Sequence, residues 1–172
     1  MKSGWRIFYA GLALLVVASD QLTKRWVERA IPRGTTVRVI SHFFNLVDTR
    51  NPGIAFSLFA DSPSPWKTGI LIAVSTAFLI AVVILVLRSG TLKRRSSVGL
   101  ALIIGGAVSN LADRLRYGKV VDFLDLYYRG YHWPAFNVAD SAIVVGAALL
   151  ILDLLLDLLH PEHRANATEP HG

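Results

Sequence analysis

The sequence predicts an all-α membrane protein: four transmembrane helices carrying a small extracytoplasmic β-sheet appendage. Three observations carry that prediction. Hydrophobic residues make up 53% of the 172 positions and charged residues only 17%, a balance foreign to a soluble domain of this size. Four apolar stretches, residues 5–25, 67–88, 96–114 and 135–157, each approach the ~20 residues needed to cross ~30 Å of hydrocarbon. Between the first two, residues 34–60 carry β-branched and aromatic runs (Val37, Val39, Phe43, Phe44, Leu46, Val47, Ile54, Phe56, Leu58) broken by Asn51-Pro52-Gly53. Such a pattern reads as short strands around a turn.

The first stretch has features of a secretory signal, with Lys2 and Arg6 before an apolar run and Val17-Ala18-Ser19 resembling a cleavage site. Asp20, Gln21 and Lys24 continue the helical pattern past that point and three further spans follow, so an uncleaved anchor is expected. Asp61-Ser62-Pro63-Ser64-Pro65-Trp66 breaks the chain and places an interfacial aromatic before the second span. That span carries no charge and reads as scaffold. Residues 1–160 form a single membrane-embedded domain on this reading, and the polar residues 161–172 a disordered cytoplasmic tail.

The net charge is +6, but the basic residues flank spans, as expected of a membrane protein, so no nucleic acid is implied. With no cysteine, disulfides, thiol nucleophiles and cysteine-ligated metals are excluded. The histidines form no ligand-spaced pair and no metal site is expected. An even number of spans puts both termini on one side. Arg88, Lys93, Arg94 and Arg95, packed into one short loop, make that side cytoplasmic, because short loops weigh most in the positive-inside rule.

The remaining spans are polar at one end. Asp20, Gln21 and Lys24 lie late in the first, Asn110, Asp113 and Arg114 late in the third, and Asn137 and Asp140 early in the fourth. Successive spans run in opposite directions, so these ends converge on the extracytoplasmic side. Gly106, Asn110 and Arg114 recur every four residues, which places them on one helix face, and Gly105 with Gly106 permits close helix approach.

An ionisable group in a membrane helix costs ~2.5–3.5 kcal/mol on insertion scales and marks a functional site by default. Asp140 is such a group and needs a partner. Asp153 is thirteen residues on, about 20 Å along the helix axis, and is excluded; with Asp157 it belongs near the inner interface, close in depth to Arg88 and Arg94. Asp113 beside Arg114, and Asp20 one turn before Lys24, have local cations and read as structural. Asp122 and Asp125 follow the third span on the correct side, and Asp122 lies between Val121 and Phe123. Desolvation beside a second carboxylate raises one pKa of a pair. Two carboxylates sharing a proton are the machinery of aspartic proteolysis, in which one accepts a proton from the attacking water and the other donates to the developing oxyanion. Ser109 and Ser141 lack a Lys or His base and do not read as nucleophiles.

Over nearly its whole length the chain resembles the lipoprotein signal peptidases, the bacterial type II signal peptidases. The resemblance rests on Asp20-Gln21-Leu22-Thr23-Lys24, Asn51-Pro52-Gly53-Ile54-Ala55-Phe56-Ser57, Gly105 to Arg114, Val120-Val121-Asp122-Phe123 and Phe136-Asn137-Val138-Ala139-Asp140-Ser141. It implies a cofactor-free aspartyl endopeptidase of the bacterial inner membrane that cleaves prolipoproteins before their diacylglyceryl-modified cysteine. Asp122 and Asp140 would be the catalytic dyad; Asn51, Gly53, Asn110, Arg114 and Asn137 would bind substrate or shape the site; Asp20, Lys24 and Asp113 would be structural. It also implies a short amphipathic helix within residues 34–66. Lipid-modified prolipoproteins and membrane phospholipid are the expected partners, and a monomer the expected state. A small transporter or proton-relay subunit using buried Asp20, Asp113 and Asp140 is the alternative.

Overall fold

In the computed structural model, which describes residues 3–53, 65–89 and 92–160, four helices form a bundle and a four-stranded antiparallel sheet caps one end. The helices are α1 (Ser3–Ala30), α2 (Pro65–Arg88), α3 (Arg94–Tyr117) and α4 (Val138–Leu159). The strands are β1 (Thr36–Ile40), β2 (Phe44–Asn51), β3 (Val120–Tyr128) and β4 (Tyr131–His132), in spatial order β1-β2-β3-β4. All four helices are long and apolar enough to cross a membrane. The expected strands before Asn51-Pro52-Gly53 are present as β1 and β2. Those after it, the amphipathic helix expected from the family, and the tail 161–172 lie outside the described residues.

The sheet is larger than residues 34–60 alone suggest, because half of it comes from the α3–α4 connection. Gly118 ends α3 in the left-handed conformation (φ 67°), its N–H bonding the Arg114 carbonyl at 2.9 Å, a turn that an L side chain adopts only with strain. The chain then enters β3 directly and pairs with β2. Arg129 and Gly130, both at positive φ (50° and 86°), close the β3–β4 hairpin with the handedness that two-residue connections require. Phe136 next pairs with Leu124 across β3, through bonds of 2.8 and 3.0 Å. This brings the start of α4 against the strand.

The packing is polar inside and apolar outside. Leu14 and Leu15 of α1, Phe78 and Ile80 of α2, and Val144 and Leu155 of α4 face outward, whereas Asp20, Lys24, Ser109, Asn110, Asp113 and Asn137 are buried. Lipid tails are as apolar as leucine, so helix association in a membrane rests on close packing and interhelical hydrogen bonds. Glycines supply the closeness. A methyl group added at Gly99 would lie 2.7 Å from the Gly146 carbonyl oxygen, and one at Gly105 would lie 2.7 Å from that of Ala13. Gly106 leaves still less room against Ala139. Helix α3 therefore touches α4 through one glycine face and α1 through another, and sits at the centre of the bundle. Where the sheet meets α1, Val27, Ile31 and Phe123 form a buried apolar plug backed by Leu46, Leu124 and Val138. Arg50 of β2 reaches Glu28 at 2.6 Å, which extends α1 five residues past the predicted residue 25.

Gly106→Ala is expected to destabilise the bundle by about 1–3 kcal/mol through overpacking, whereas Gly69→Ala, where nothing lies within 4 Å, should stabilise α2 by about 0.5–1 kcal/mol. Thermal unfolding of both purified variants in detergent checks this; equal shifts of the same sign would contradict the packing.

Candidate active site

The polar ends do converge, and Asn137 joins them. It is the N-cap of α4: its Oδ1 accepts from the Asp140 backbone N–H at 2.8 Å, and Asp140 Oδ2 accepts from the Asn137 N–H at 3.2 Å. This reciprocal capping satisfies two backbone donors that a helix start otherwise leaves unpaired. The same side chain donates from Nδ2 to Asp122 Oδ1 at 2.7 Å, to the Val121 carbonyl at 3.2 Å and to Asn110 Oδ1 at 3.3 Å. One residue thus holds both candidate carboxylates, Asp122 through its amide and Asp140 through its backbone. The pairing of Phe136 with Leu124 puts it there.

Asp140 lies early in the fourth span-length helix: α4 begins at Val138 and Asp140 sits in its first turn. The helix dipole and the capping amide favour a carboxylate at that position. Its other oxygen, Oδ1, accepts from Asn110 Nδ2 at 2.8 Å.

Asp122 lies on β3, outside the membrane helices, and is 2% exposed. Asn51 Nδ2 donates to its Oδ2 at 3.1 Å, while Asn51 Oδ1 accepts the Gly53 N–H at 2.9 Å. Burial first, and the neighbouring Asp140 charge second, push its pKa up to about 7, against the pull of the Asn51 and Asn137 hydrogen bonds and Lys24. Asp125, three residues on and so on the other face of the strand, belongs to a separate group. It accepts from Asn45 Nδ2 at 2.8 Å and lies 2.8 Å from His132 Nδ1.

Arg114 reaches across the opening. Its guanidinium donates to the Gly53 and Asn110 carbonyls, each at 3.4 Å, and its charge acts on Asp140, Asp122 and Asp113. It does not serve as the cation of Asp113, as its adjacency in sequence suggested. That role falls to Lys24, whose Nζ meets Asp20 Oδ2 at 2.6 Å, Asp113 Oδ2 at 2.8 Å and Asn110 Oδ1 at 3.1 Å. An ammonium has three protons, and here each has an acceptor. Asp20 also accepts from Ser109 Oγ at 2.7 Å and from the Ala139 N–H in the first turn of α4 at 2.9 Å. Asp113 accepts from Gln21 Nε2 at 2.8 Å and the Val121 N–H at 3.3 Å. Three helices and β3 are tied at one point.

Ser109 and Gln21 are parts of this network to which the sequence reading gave no role. Ser109 and Asp113 repeat the four-residue spacing of Asp20 and Lys24, the one signal that could have found Ser109. The distal carboxylates behave as expected: Asp153 pairs with Arg95 at 3.0 Å and also binds Ser96, and Asp157 pairs with Lys93. Among the described residues no three His, Asp or Glu side chains are grouped as metal ligands.

Lys24→Met is expected to cost about 3–5 kcal/mol, because it leaves Asp20 and Asp113 buried without their cation. The loss should shrink in the triple variant Lys24→Met with Asp20→Asn and Asp113→Asn. Thermal unfolding in detergent reads both; an unchanged midpoint in Lys24→Met would refute the cluster's role.

The family model described as "Signal peptidase (SPase) II" matches residues 12–156. A lipoprotein signal peptidase of Solibacter usitatus is 48% identical over 151 residues, covering 88% of this chain and 91% of that protein. One from Geobacter metallireducens is 42% identical over 157 residues, covering 91% and 95%. A solved structure described as a bacterial membrane enzyme at 1.9 Å resolution superposes with a TM-score of 0.78 at 32% identity, covering 91% of this chain and 96% of that one. A second, at 2.3 Å resolution, gives 0.79 over 92% of each chain. With its matched segment spanning all four helices and every residue of the converged site, the chain belongs to the signal peptidase II family.

Proposed function

We propose that this bacterial membrane protease removes the signal peptide from diacylglyceryl-cysteine-modified prolipoproteins by an aspartic mechanism in which Asp122 and Asp140 are the catalytic pair. The observation that carries the proposal is the Asn137 bridge between buried Asp122, whose pKa is pushed up to about 7, and half-buried Asp140. Asp122 titrates near neutrality, and we assign it the shared proton and Asp140 the role of base. Water placed between them loses a proton to Asp140 as its oxygen attacks the carbonyl before the lipidated cysteine. Asp122 donates its proton to the oxygen on which negative charge develops. As the tetrahedral intermediate collapses, Asp140 gives the proton it took from water to the leaving amine, and Asp122 takes its proton back from the hydroxyl that becomes the new carboxyl group.

The surrounding groups have assigned parts. Asn110 and Asn137 fix the carboxylates' orientation. Asn51, Gly53 and Arg114 border the approach from β2, where the substrate backbone can be held. Asp20, Lys24 and Asp113 are structural. The transporter reading built on Asp20, Asp113 and Asp140 is not favoured, since Asp20 and Asp113 share the buried Lys24 in a static ion-pair cluster. The basic loop around Arg88 to Arg95 lies at the opposite end of α3 from the carboxylates, which supports cytoplasmic termini and a site near the extracytoplasmic face of the inner membrane, among phospholipid.

Asp122→Asn and Asp140→Asn should each abolish single-turnover cleavage of a diacylglyceryl-cysteine peptide, with a loss of at least about a thousandfold, while inserting normally. Asp125→Asn and Asp153→Asn should stay near the wild-type rate. Asn51→Ala and Gly53→Ala should lower turnover without ending it. An active Asp122→Asn enzyme would sink the assignment.

The sign of the pH dependence follows from the raised value at Asp122. Below about 7 the pair keeps its proton, and above about 7 both carboxylates ionise and the acid is lost. Activity should fall on the alkaline side through about pH 7 and fall again in acid, when the base is protonated. A pH–rate profile flat from neutral to strongly alkaline would contradict the shared proton.

A further inference from the structure

The end of the bundle far from the carboxylates carries a cavity. It has a volume of about 180 Å³ and is lined by Trp5 and Tyr9 of α1, Leu92, and Arg94 and Ser97 of α3. Asn110 lies sixteen residues along α3 from Arg94, about 24 Å by helix rise, so this is not the carboxylate site.

Three features there call for an anion. The first turn of α3 has no side-chain cap: Lys93 occupies the N-cap position without a capping hydrogen bond, and no acidic residue lies in the turn. The start of α3 therefore presents free N–H groups and the positive end of the helix dipole. Of the three adjacent basic residues, Lys93 pairs with Asp157 and Arg95 with Asp153. Arg94 pairs with no carboxylate among the described residues, and its guanidinium instead lies over the Trp5 ring, 5.3 Å from the centroid. Finally, Ser97 is 5% exposed, and its Oγ has no hydrogen-bond partner among the described residues while lining this cavity. A buried hydroxyl without a partner costs about 1–3 kcal/mol, a cost that a bound acceptor would remove.

The geometry points to a binding site for the phosphate of a phospholipid headgroup, held by the Arg94 guanidinium, the Ser97 hydroxyl and the free amides at the start of α3. A phosphate is the acceptor that suits all three donors. Membrane lipid rather than free phosphate is its source. Trp5 and Tyr9 are the amphipathic aromatics that settle at headgroup depth, and outward-facing Ile7 and Phe8 beside them offer a surface for acyl chains.

The test is native mass spectrometry of the full-length protein in neutral detergent, titrated with phosphatidylglycerol, with diacylglycerol of the same chains, or with inorganic phosphate. Phosphatidylglycerol should be retained and diacylglycerol not. Arg94→Gln should weaken retention about tenfold, and Arg38→Gln on β1 should leave it unchanged. Ser97→Ala, which removes only a hydroxyl, should weaken retention about threefold and reduce the rise in melting temperature that phosphatidylglycerol gives. Equal retention of diacylglycerol would overturn the proposal, as would equal losses in Arg94→Gln and Arg38→Gln. Full displacement of the lipid by millimolar inorganic phosphate would transfer the site to a free anion and overturn the lipid assignment.

Discussion

Two carboxylates can sit side by side in a buried site only if something other than water holds them, and here the Asn137 amide does so. It has a donor for Asp122, an acceptor for the Asp140 backbone and a place at the first residue before α4. These three tasks require β3 and the start of α4 to meet at one register. The pairing of Phe136 with Leu124 sets that register, the left-handed Gly118 delivers β3 to it, and the Val27, Ile31 and Phe123 plug seats the strand on α1. The site is thus a property of the seam between sheet and bundle rather than of any single helix.

Behind that seam the Lys24 cluster sets the height of the helices relative to one another. Asp20 binds the first turn of α4, Asp113 binds the backbone of β3, and Lys24 orients Asn110. Because Asn110 Oδ1 is occupied by Lys24 and Asn137, its Nδ2 is turned toward Asp140. A charge cluster two steps from the chemistry thereby fixes which atom of an amide faces a carboxylate. The glycines of α3 make this possible by letting backbones approach until such short side chains span the gap. Polar groups inside and leucines outside reverse the arrangement of a water-soluble core, as a hydrocarbon solvent demands.

The four spans and the convergence of their polar ends were legible in the sequence, because hydropathy and helical periodicity are local signals. The strand β3 was not. Val120 to Tyr128 is mostly apolar on both faces, with one aspartate on each, so period-two alternation is missing, and its partner β2 lies about seventy to eighty residues earlier. Long-range pairing leaves little trace in a single chain. The capping role of Asn137 was hidden for a related reason: it reads as one more polar residue at the start of a span until its geometry is seen. Likewise the cation of Asp113 is the distant Lys24 and not its neighbour Arg114, a choice made by tertiary packing alone.

The central claim, that Asn137 couples a protonated Asp122 to Asp140, can be measured without substrate. Difference infrared spectroscopy across a pH titration reads the carbonyl stretch of a protonated carboxylic acid. The account predicts one such band in the wild-type protein that disappears through about pH 7 and is missing in Asp122→Asn. In Asn137→Ala its midpoint should move to higher pH, because the Asn137 hydrogen bond favours the ionised form. A wild-type protein with no carboxyl group titrating near neutrality, or a midpoint indifferent to Asn137, would contradict it.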